Sequence, residues 1–138
     1  MDIYFGASIT GGRENQASAK ELIEFLKSFG TVLTEHVGDP GLSAQGEAKL
    51  DGKTVHERDV AWLEQAQVVI AEVTTPSLGV GYELGRAVAL GKPILCLFNN
   101  KSGRTLSRII SGSEGISTKN YESMEEAKQH IEEFFKKL

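Results

Sequence analysis

Two acidic residues stand where a chain ordinarily keeps apolar or bare positions. Asp59 lies in the helical stretch KTVHERDVAWLEQAQ. At about 100° per residue, Val55, Trp62 and Ala66 share one narrow sector and Asp59 falls in its middle. A carboxylate centred on a buried face needs a partner or a task. One reading pairs Asp59 with an inward arginine or has it cap a neighbouring helix. The other has it reach a ligand. Glu83 lies in SLGVGYELGRA, among Gly79, Gly81, Gly85 and Ala87, just after the apolar VVIAEV. The pattern puts Glu83 in the first turn of a helix over 81–90, where the helix dipole favours negative charge. It also sits at the edge of a stripe of Val80, Leu84, Ala87 and Val88. It is either a residue that suits a first turn, or a nucleophile or base at the end of a crevice. Gly81 and Gly85 weaken a helix, so they point to close approach by a ligand or another backbone. Two carboxylates flanking a substrate are the equipment of glycosyl transfer: one attacks the anomeric carbon and the other manages a proton. Tyr4, on the first strand, can point at the same place.

The segment GASITGGR has Gly6 and Gly11 at P-loop spacing. Gly12 and Arg13 stand where lysine and Ser/Thr belong, so nothing supplies the phosphate lysine or holds Mg²⁺. A G-x-G-x-x-G dinucleotide fingerprint is also missing. What remains is bare backbone N–H groups, the Ser8 and Thr10 hydroxyls and the Arg13 guanidinium ahead of a helix. That is a common way to hold an anion or a sugar, and equally a flexible glycine turn. His36, His56 and His130 show no ligand spacing, and Cys96 sits within ILCLF as a small buried hydrophobe. No metal or cofactor is expected. There is no G-x-S-x-G elbow for a serine nucleophile.

The elements that must position these groups alternate. Strands are expected at Ile3–Phe5, in TVLT, at Val68–Val73, at Ile94–Phe98 and within GISTKNY. Helices are expected over Ala17–Phe29, ended by Gly30, over Lys53–Gln65, Gly81–Leu90 and Arg104–Ile110, and after Ser123. GDPGLSAQG reads as a loop. Ser123 with Glu126 forms a capping-box pattern, and Ala127, Ile131, Phe134, Phe135 and Leu138 give the last helix an inward stripe. The expected fold is α/β: a single doubly wound domain, residues 1–138, with a five-stranded parallel sheet of flavodoxin-like order 2-1-3-4-5 and helices on both faces. Ligands bind such sheets between strands one and three, beyond the strands' carboxyl ends, where both glycine-rich loops fall. The chain has 138 residues, 40% hydrophobic and 25% charged, enough for one domain with its own core. Its net charge of −4 argues against sequence-independent nucleic-acid binding but leaves room for a small phosphorylated ligand. No apolar stretch approaches the ~20 residues of a membrane span.

The segments IYFGASITGGRE, FGTVLTEHV, HERDVAWLEQAQVVIAEVTTPSLGVGYELGRAVALGKPILCLF and SGRTLS resemble the 2′-deoxynucleoside 5′-monophosphate N-glycosidases, within the nucleoside 2-deoxyribosyltransferase-like group. AEVTTPSLGVGYELGRA is the most specific of them. The resemblance implies that Glu83 is the nucleophile, forming a glycosyl ester at C1′ of the sugar that water then releases. It implies that Tyr4 orients Glu83 and that Asp59 assists protonation of the departing base and contacts the sugar. Gly6, Ala7, Ser8, Ile9, Thr10, Gly11 and Gly12 would wrap sugar and phosphate, with Arg13 following. Ser77 and Gly79 would bind the phosphate, and Ser107 would reach the phosphate of the other subunit of a homodimer. Mammalian members have arginine where this chain has Thr10, which bears on base preference and phosphate affinity. The partner implied is a nucleoside 5′-monophosphate, without cofactor. Location in the cytoplasm, and in the nucleus as well, is the accompanying expectation. A deoxyribosyltransferase on unphosphorylated nucleosides and a non-catalytic nucleotide-binding module remain as alternatives.

Overall fold

The computed structural model describes residues 1–9, 12–38 and 50–138, the side chains of 12–14 excepted. Strands β1 (Asp2–Ala7), β2 (Thr31–Val32), β3 (Val68–Glu72), β4 (Ile94–Asn99) and β5 (Ser117–Tyr121) form one sheet in the order β2-β1-β3-β4-β5. Every neighbouring pair is parallel. Helices α1 (Gly12–Leu26), α2 (Gly52–Gln65), α3 (Leu78–Ala89), α4 (Arg108–Gly112) and α5 (Met124–Lys136) alternate with the strands. This is the expected doubly wound order.

Strand alternation sorts the side chains onto two cores. Ile3, Phe5, Ile70, Leu95 and Leu97 pack with Leu22, Ile23 and Leu26 of α1 and Ala127 and Ile131 of α5. Tyr4, Val69, Ala71 and Cys96 pack with Leu63 of α2 and Val80, Leu84 and Ala87 of α3. Central strands buried on both faces carry no polar face, which is why helices must cover both. Tyr4 is the polar-tipped residue that this alternation turns toward α2 and α3.

Helix ends follow local chemistry. Asp51 caps α2 by accepting from the Thr54 N–H at 2.7 Å, and Ser77 caps α3 by accepting from the Val80 N–H at 3.2 Å. Ser123 caps α5, while Glu126 accepts from the Glu122 N–H at 2.7 Å, one residue before the cap. α3 stops at Gly91 (φ 71°), with the Gly91 N–H on the Val88 carbonyl and the Lys92 N–H on that of Ala87.

Several boundaries differ from expectation. α1 runs from Gly12 to Leu26, earlier at both ends than 17–29, so Gly30 does not cap it. Gly30 is bare for another reason: a Cβ there would stand 2.1 Å from the Met1 carbonyl oxygen. β2 pairs over two residues only, because Thr34 uses its side chain on β1, with Oγ1 donating to the Phe5 carbonyl at 2.6 Å and accepting from the Phe5 N–H at 2.8 Å. α3 starts at Leu78, capped by Ser77, three residues before Gly81. α4 starts at Arg108 rather than at Arg104, because Ser107 is its cap and Gly103 (φ 77°) turns the chain just before. Leu138 is 51% exposed and Val88 37%, so neither completes its stripe. The loop expected over 38–46 lies outside the described residues beyond Gly38.

Candidate active site

The crevice opens at the carboxyl ends of β1 and β3, where the strand order reverses. Tyr4 is buried, and its hydroxyl donates to Oε2 of Glu83. Burial first, then the adjacent Glu83 charge, push the Tyr4 phenol far above its ordinary range. It therefore stays a proton donor to Glu83 at any physiological pH. A cavity of ≈ 190 Å³ opens over this pair, and Gly6, Asp59, Ser77 and Gly79 share its walls. Gly6 keeps the wall thin beside the carboxylate: a Cβ there would lie 3.7 Å from Glu83 Oε1 and 3.8 Å from Val80.

Asp59 reaches the same cavity from α2, but not from a sealed core face. Within α2 only Leu63 is fully buried, and Val55 and Trp62 are partly covered. Asp59 is paired: Arg58 Nε and Nη2 each lie 3.0 Å from its Oδ1. The arginine is its chain neighbour, held 4.9 Å over the Trp62 ring with Nη2 3.4 Å from His36 Nε2. Sequence reading allowed an inward arginine partner or a ligand-facing carboxylate; Asp59 is at once ion-paired and on the cavity wall. Asp59 and Arg58 act on the Tyr4 phenol in opposite directions, the first raising and the second lowering its pKa.

The remaining expected residues divide. Gly6 and Ala7 end β1 at the cavity, and Ile9 also lines it. Ser8 is buried, and its carbonyl accepts from the Asn15 amide. Thr10 and Gly11 lie outside the described residues, and Gly12 and Arg13 open α1 rather than extending the loop. Ser77 and Gly79 stand at the start of α3 on the cavity wall. Ser107 does not line this crevice. It caps α4 and borders a neighbouring apolar cavity of ≈ 500 Å³, with Ser77, Leu78 and Ile109.

Two sequence arguments for Glu83 fail although its position holds. With α3 beginning at Leu78, Glu83 lies in the second turn, and the dipole effect is confined to the first. A Cβ at Gly81 or Gly85 would meet nothing within 4 Å, so close approach inside this chain does not explain them. Sequence reading also missed three groups. Thr34 and His36 line the cavity from the segment after β2, whose sequence FGTVLTEHV gave no chemical reason to single them out. Glu72, the last residue of β3, is buried at 3% exposure and bonded to Tyr121. It is the acid of VVIAEV, and the one signal for it was a charge at the end of an apolar run. Cys96 is buried, and its thiol is pushed up to about 12 by burial and by Glu72, so it holds its proton and is unreactive. Among the described residues no group of three or more His, Cys, Asp or Glu could hold a metal ion.

The chain as a whole is similar to known proteins. A family model, Nucleoside 2-deoxyribosyltransferase, matches residues 3–134. The chain is 61% identical over 112 residues to a Mus musculus protein named 5-hydroxymethyl-dUMP N-hydrolase, covering 80% of this chain and 65% of that one. A Danio rerio protein of the same name is 47% identical over 141 residues, covering 100% of this chain and 98% of that one. A Trichoplax adhaerens protein named putative 2′-deoxynucleoside 5′-phosphate N-hydrolase 1 is 50% identical over 96% of this chain and 92% of its own. Among solved structures, a CMP N-glycosidase of Clostridium botulinum superposes with a TM-score of 0.69 at 20% identity, over 97% of this chain and 99% of that one. At that identity the likeness is one of fold.

Proposed function

Because the chain belongs to the nucleoside 2-deoxyribosyltransferase family, we propose that its crevice hydrolyses the N-glycosidic bond of 2′-deoxynucleoside 5′-monophosphates to free base and deoxyribose 5-phosphate. The observation that carries this reading is the Tyr4–Glu83 pair, a carboxylate held by a buried phenol in a cavity that it shares with Asp59, Ser77 and Gly79. In the first step the Glu83 carboxylate attacks C1′, the C1′–N bond breaks, and its electron pair leaves with the base. Asp59 manages the proton that the base takes up. Water then attacks C1′ of the glycosyl ester, its proton passes to Asp59 in place of the one the base took, and Glu83 leaves as carboxylate. Tyr4 fixes the carboxylate's orientation throughout. Ser77 and Gly79 hold the 5′-phosphate at the start of α3, where backbone N–H groups face it. The printed names of the relatives support the substrate class, since each is called an N-hydrolase of a deoxynucleotide.

The functional unit in this reading is a homodimer. Leu78 is 98% exposed and Ile109 84%, and both border the apolar cavity that holds Ser107. Exposed large side chains grouped around an apolar hollow mark a surface for association. A second copy seated there brings Ser107 toward its neighbour's phosphate. Sedimentation of wild type and Ile109→Asp checks this: the variant sediments as a monomer and loses turnover, whereas a wild type that is monomeric at working concentration removes the dimer.

The deciding experiment is release of free base from a panel of deoxy- and ribonucleoside 5′-monophosphates, including 5-hydroxymethyl-dUMP, beside the free nucleosides. Cleavage of monophosphates and not of nucleosides supports the phosphate site. Equal rates on both overturn it. The family's name favours a second reading, transfer of deoxyribose to another base, and exchange of label from excess free base into nucleoside would establish it.

A further inference from the structure

We propose that Glu72 is a positioning residue for phosphate binding, acting from the opposite face of the sheet through Thr74. Glu72 ends β3 on the side that faces α1 and α5, away from the crevice. A buried carboxylate is tolerated only with its oxygens satisfied. Here Oε1 accepts from the Thr74 N–H at 2.7 Å, while Oε2 accepts from Thr74 Oγ1 at 2.9 Å and from the Tyr121 hydroxyl. Thr74 Oγ1 in turn accepts from the Asn99 N–H at 2.8 Å, and the Val73 N–H is held by the Leu97 carbonyl at 2.9 Å. The chain leaving β3 is thus fastened at two consecutive residues, to β4 and β5 at once. Three residues after Thr74, Ser77 caps α3 and stands on the cavity wall with Gly79. Pro76, with its fixed φ, lies between and shortens the slack. Tyr121 keeps its proton well past the ordinary range, chiefly through burial, so it remains a donor to Glu72. No step of the reaction uses Glu72, yet the site's anion-facing segment starts from it.

The proposal rests on the reading that Ser77 and Gly79 hold the 5′-phosphate. Its test is steady-state kinetics on a deoxynucleoside 5′-monophosphate for wild type, Glu72→Gln, Thr74→Val and Ser77→Ala, each below its own melting temperature. The amide of Glu72→Gln places a donor where two hydroxyls now donate, and Thr74→Val removes the tether while keeping the side-chain shape. Both variants raise KM about tenfold with kcat within about threefold of wild type, the pattern of lost ground-state and transition-state binding alike. A purely structural role would lower the melting temperature and leave both constants alone. If Ser77→Ala raises KM while Thr74→Val does not, the positioning role is wrong and the phosphate reading stands. If Ser77→Ala leaves KM unchanged, the phosphate reading falls and takes the positioning role with it. Should Glu72→Gln fail to fold, Thr74→Val decides alone.

Discussion

The sheet carries two tyrosine–glutamate pairs, one on each face, and they are put to opposite uses. On the α2/α3 face the Tyr4 hydroxyl donates to Glu83, which is half-buried and borders an open cavity. On the α1/α5 face the Tyr121 hydroxyl donates to Glu72, which is buried and also carries both donors of Thr74. In both pairs the phenol is pushed up, by burial before any other cause. The chemistry of the pair therefore does not decide its role. The surroundings do. Glu72, though it also borders a polar cavity of ≈ 450 Å³, spends both oxygens tying down the chain and is a strut, whereas Glu83 is turned to the cavity it shares with Asp59 and can meet a substrate.

The largest effect that separates the pairs is loss of the carboxylate. Glu83→Gln lowers turnover by about three orders of magnitude or more, whereas Glu72→Gln raises KM and spares kcat. Base release under saturating substrate reads the difference directly. Equal kcat losses in the two variants would erase the distinction between nucleophile and strut.

Removing the phenols is the next way to break the comparison. Tyr4→Phe takes one hydrogen bond from the reacting carboxylate and lowers kcat by about ten- to a hundredfold, the loss of roughly 1–3 kcal/mol. Tyr121→Phe leaves a buried oxygen of Glu72 short of a donor and costs about 1–3 kcal/mol of folding stability instead. Urea unfolding beside kinetics separates them, and a Tyr121→Phe protein with wild-type stability would demote the second pair to an incidental contact.

Alkaline pH treats the pairs alike. The folded protein holds both phenolic protons where the unfolded chain, titrating near 10.0, releases them. Above that pH the unfolded state binds fewer protons than the folded one, so this contribution to stability is whole below pH 10 and shrinks as pH rises through and beyond it. Thermal melts between pH 9 and 11 show a shallower decline for Tyr121→Phe than for wild type. Parallel declines would mean that Tyr121 ionises in the folded state as it does in the unfolded one.

Sequence legibility was likewise unequal between the two pairs. Glu83, Asp59 and Tyr4 could be brought to one crevice because the β-α rhythm fixed the strand order, and strand order fixes which loops meet. Glu72 could not be placed, because its distant partner Tyr121 is fixed only once β3 and β5 lie in register across β4, and the bonds from Thr74, two residues on, follow no apolar pattern. The short β2 was illegible for the same kind of reason: Thr34 replaces a backbone rung with its own hydroxyl, which no apolar pattern encodes. The sequence pattern marks Ser77 through the resemblance and not as a cap, so it begins α3 at Gly81, three residues after Leu78, and puts Glu83 in the first turn instead of the second. Ion pairing of Asp59 by its own neighbour Arg58 escaped because adjacent helical residues ordinarily face apart, and here Trp62 folds the arginine back.

The smallest effects concern the glycines near Glu83, and they sharpen what α3 contributes to the first pair. Gly85 sits in the helix interior with nothing within 4 Å of an added Cβ, so Gly85→Ala should stabilise by about 0.5–1 kcal/mol through backbone entropy alone. Gly6 is different. Its Cβ would enter ordinary contact with Glu83 Oε1 and Val80, filling the wall beside the carboxylate without straining the fold. Gly6→Ala should leave the melting temperature within a degree or two of wild type, a shift of under ~0.5 kcal/mol, while kcat/KM falls severalfold. If Gly6→Ala were silent in kinetics, the face of Glu83 that takes the sugar would have to be sought elsewhere than beside β1. If Gly85→Ala destabilised the protein, the open space around that glycine would belong to a partner surface, and a second copy seated on α3 would account for a residue that this chain by itself does not explain.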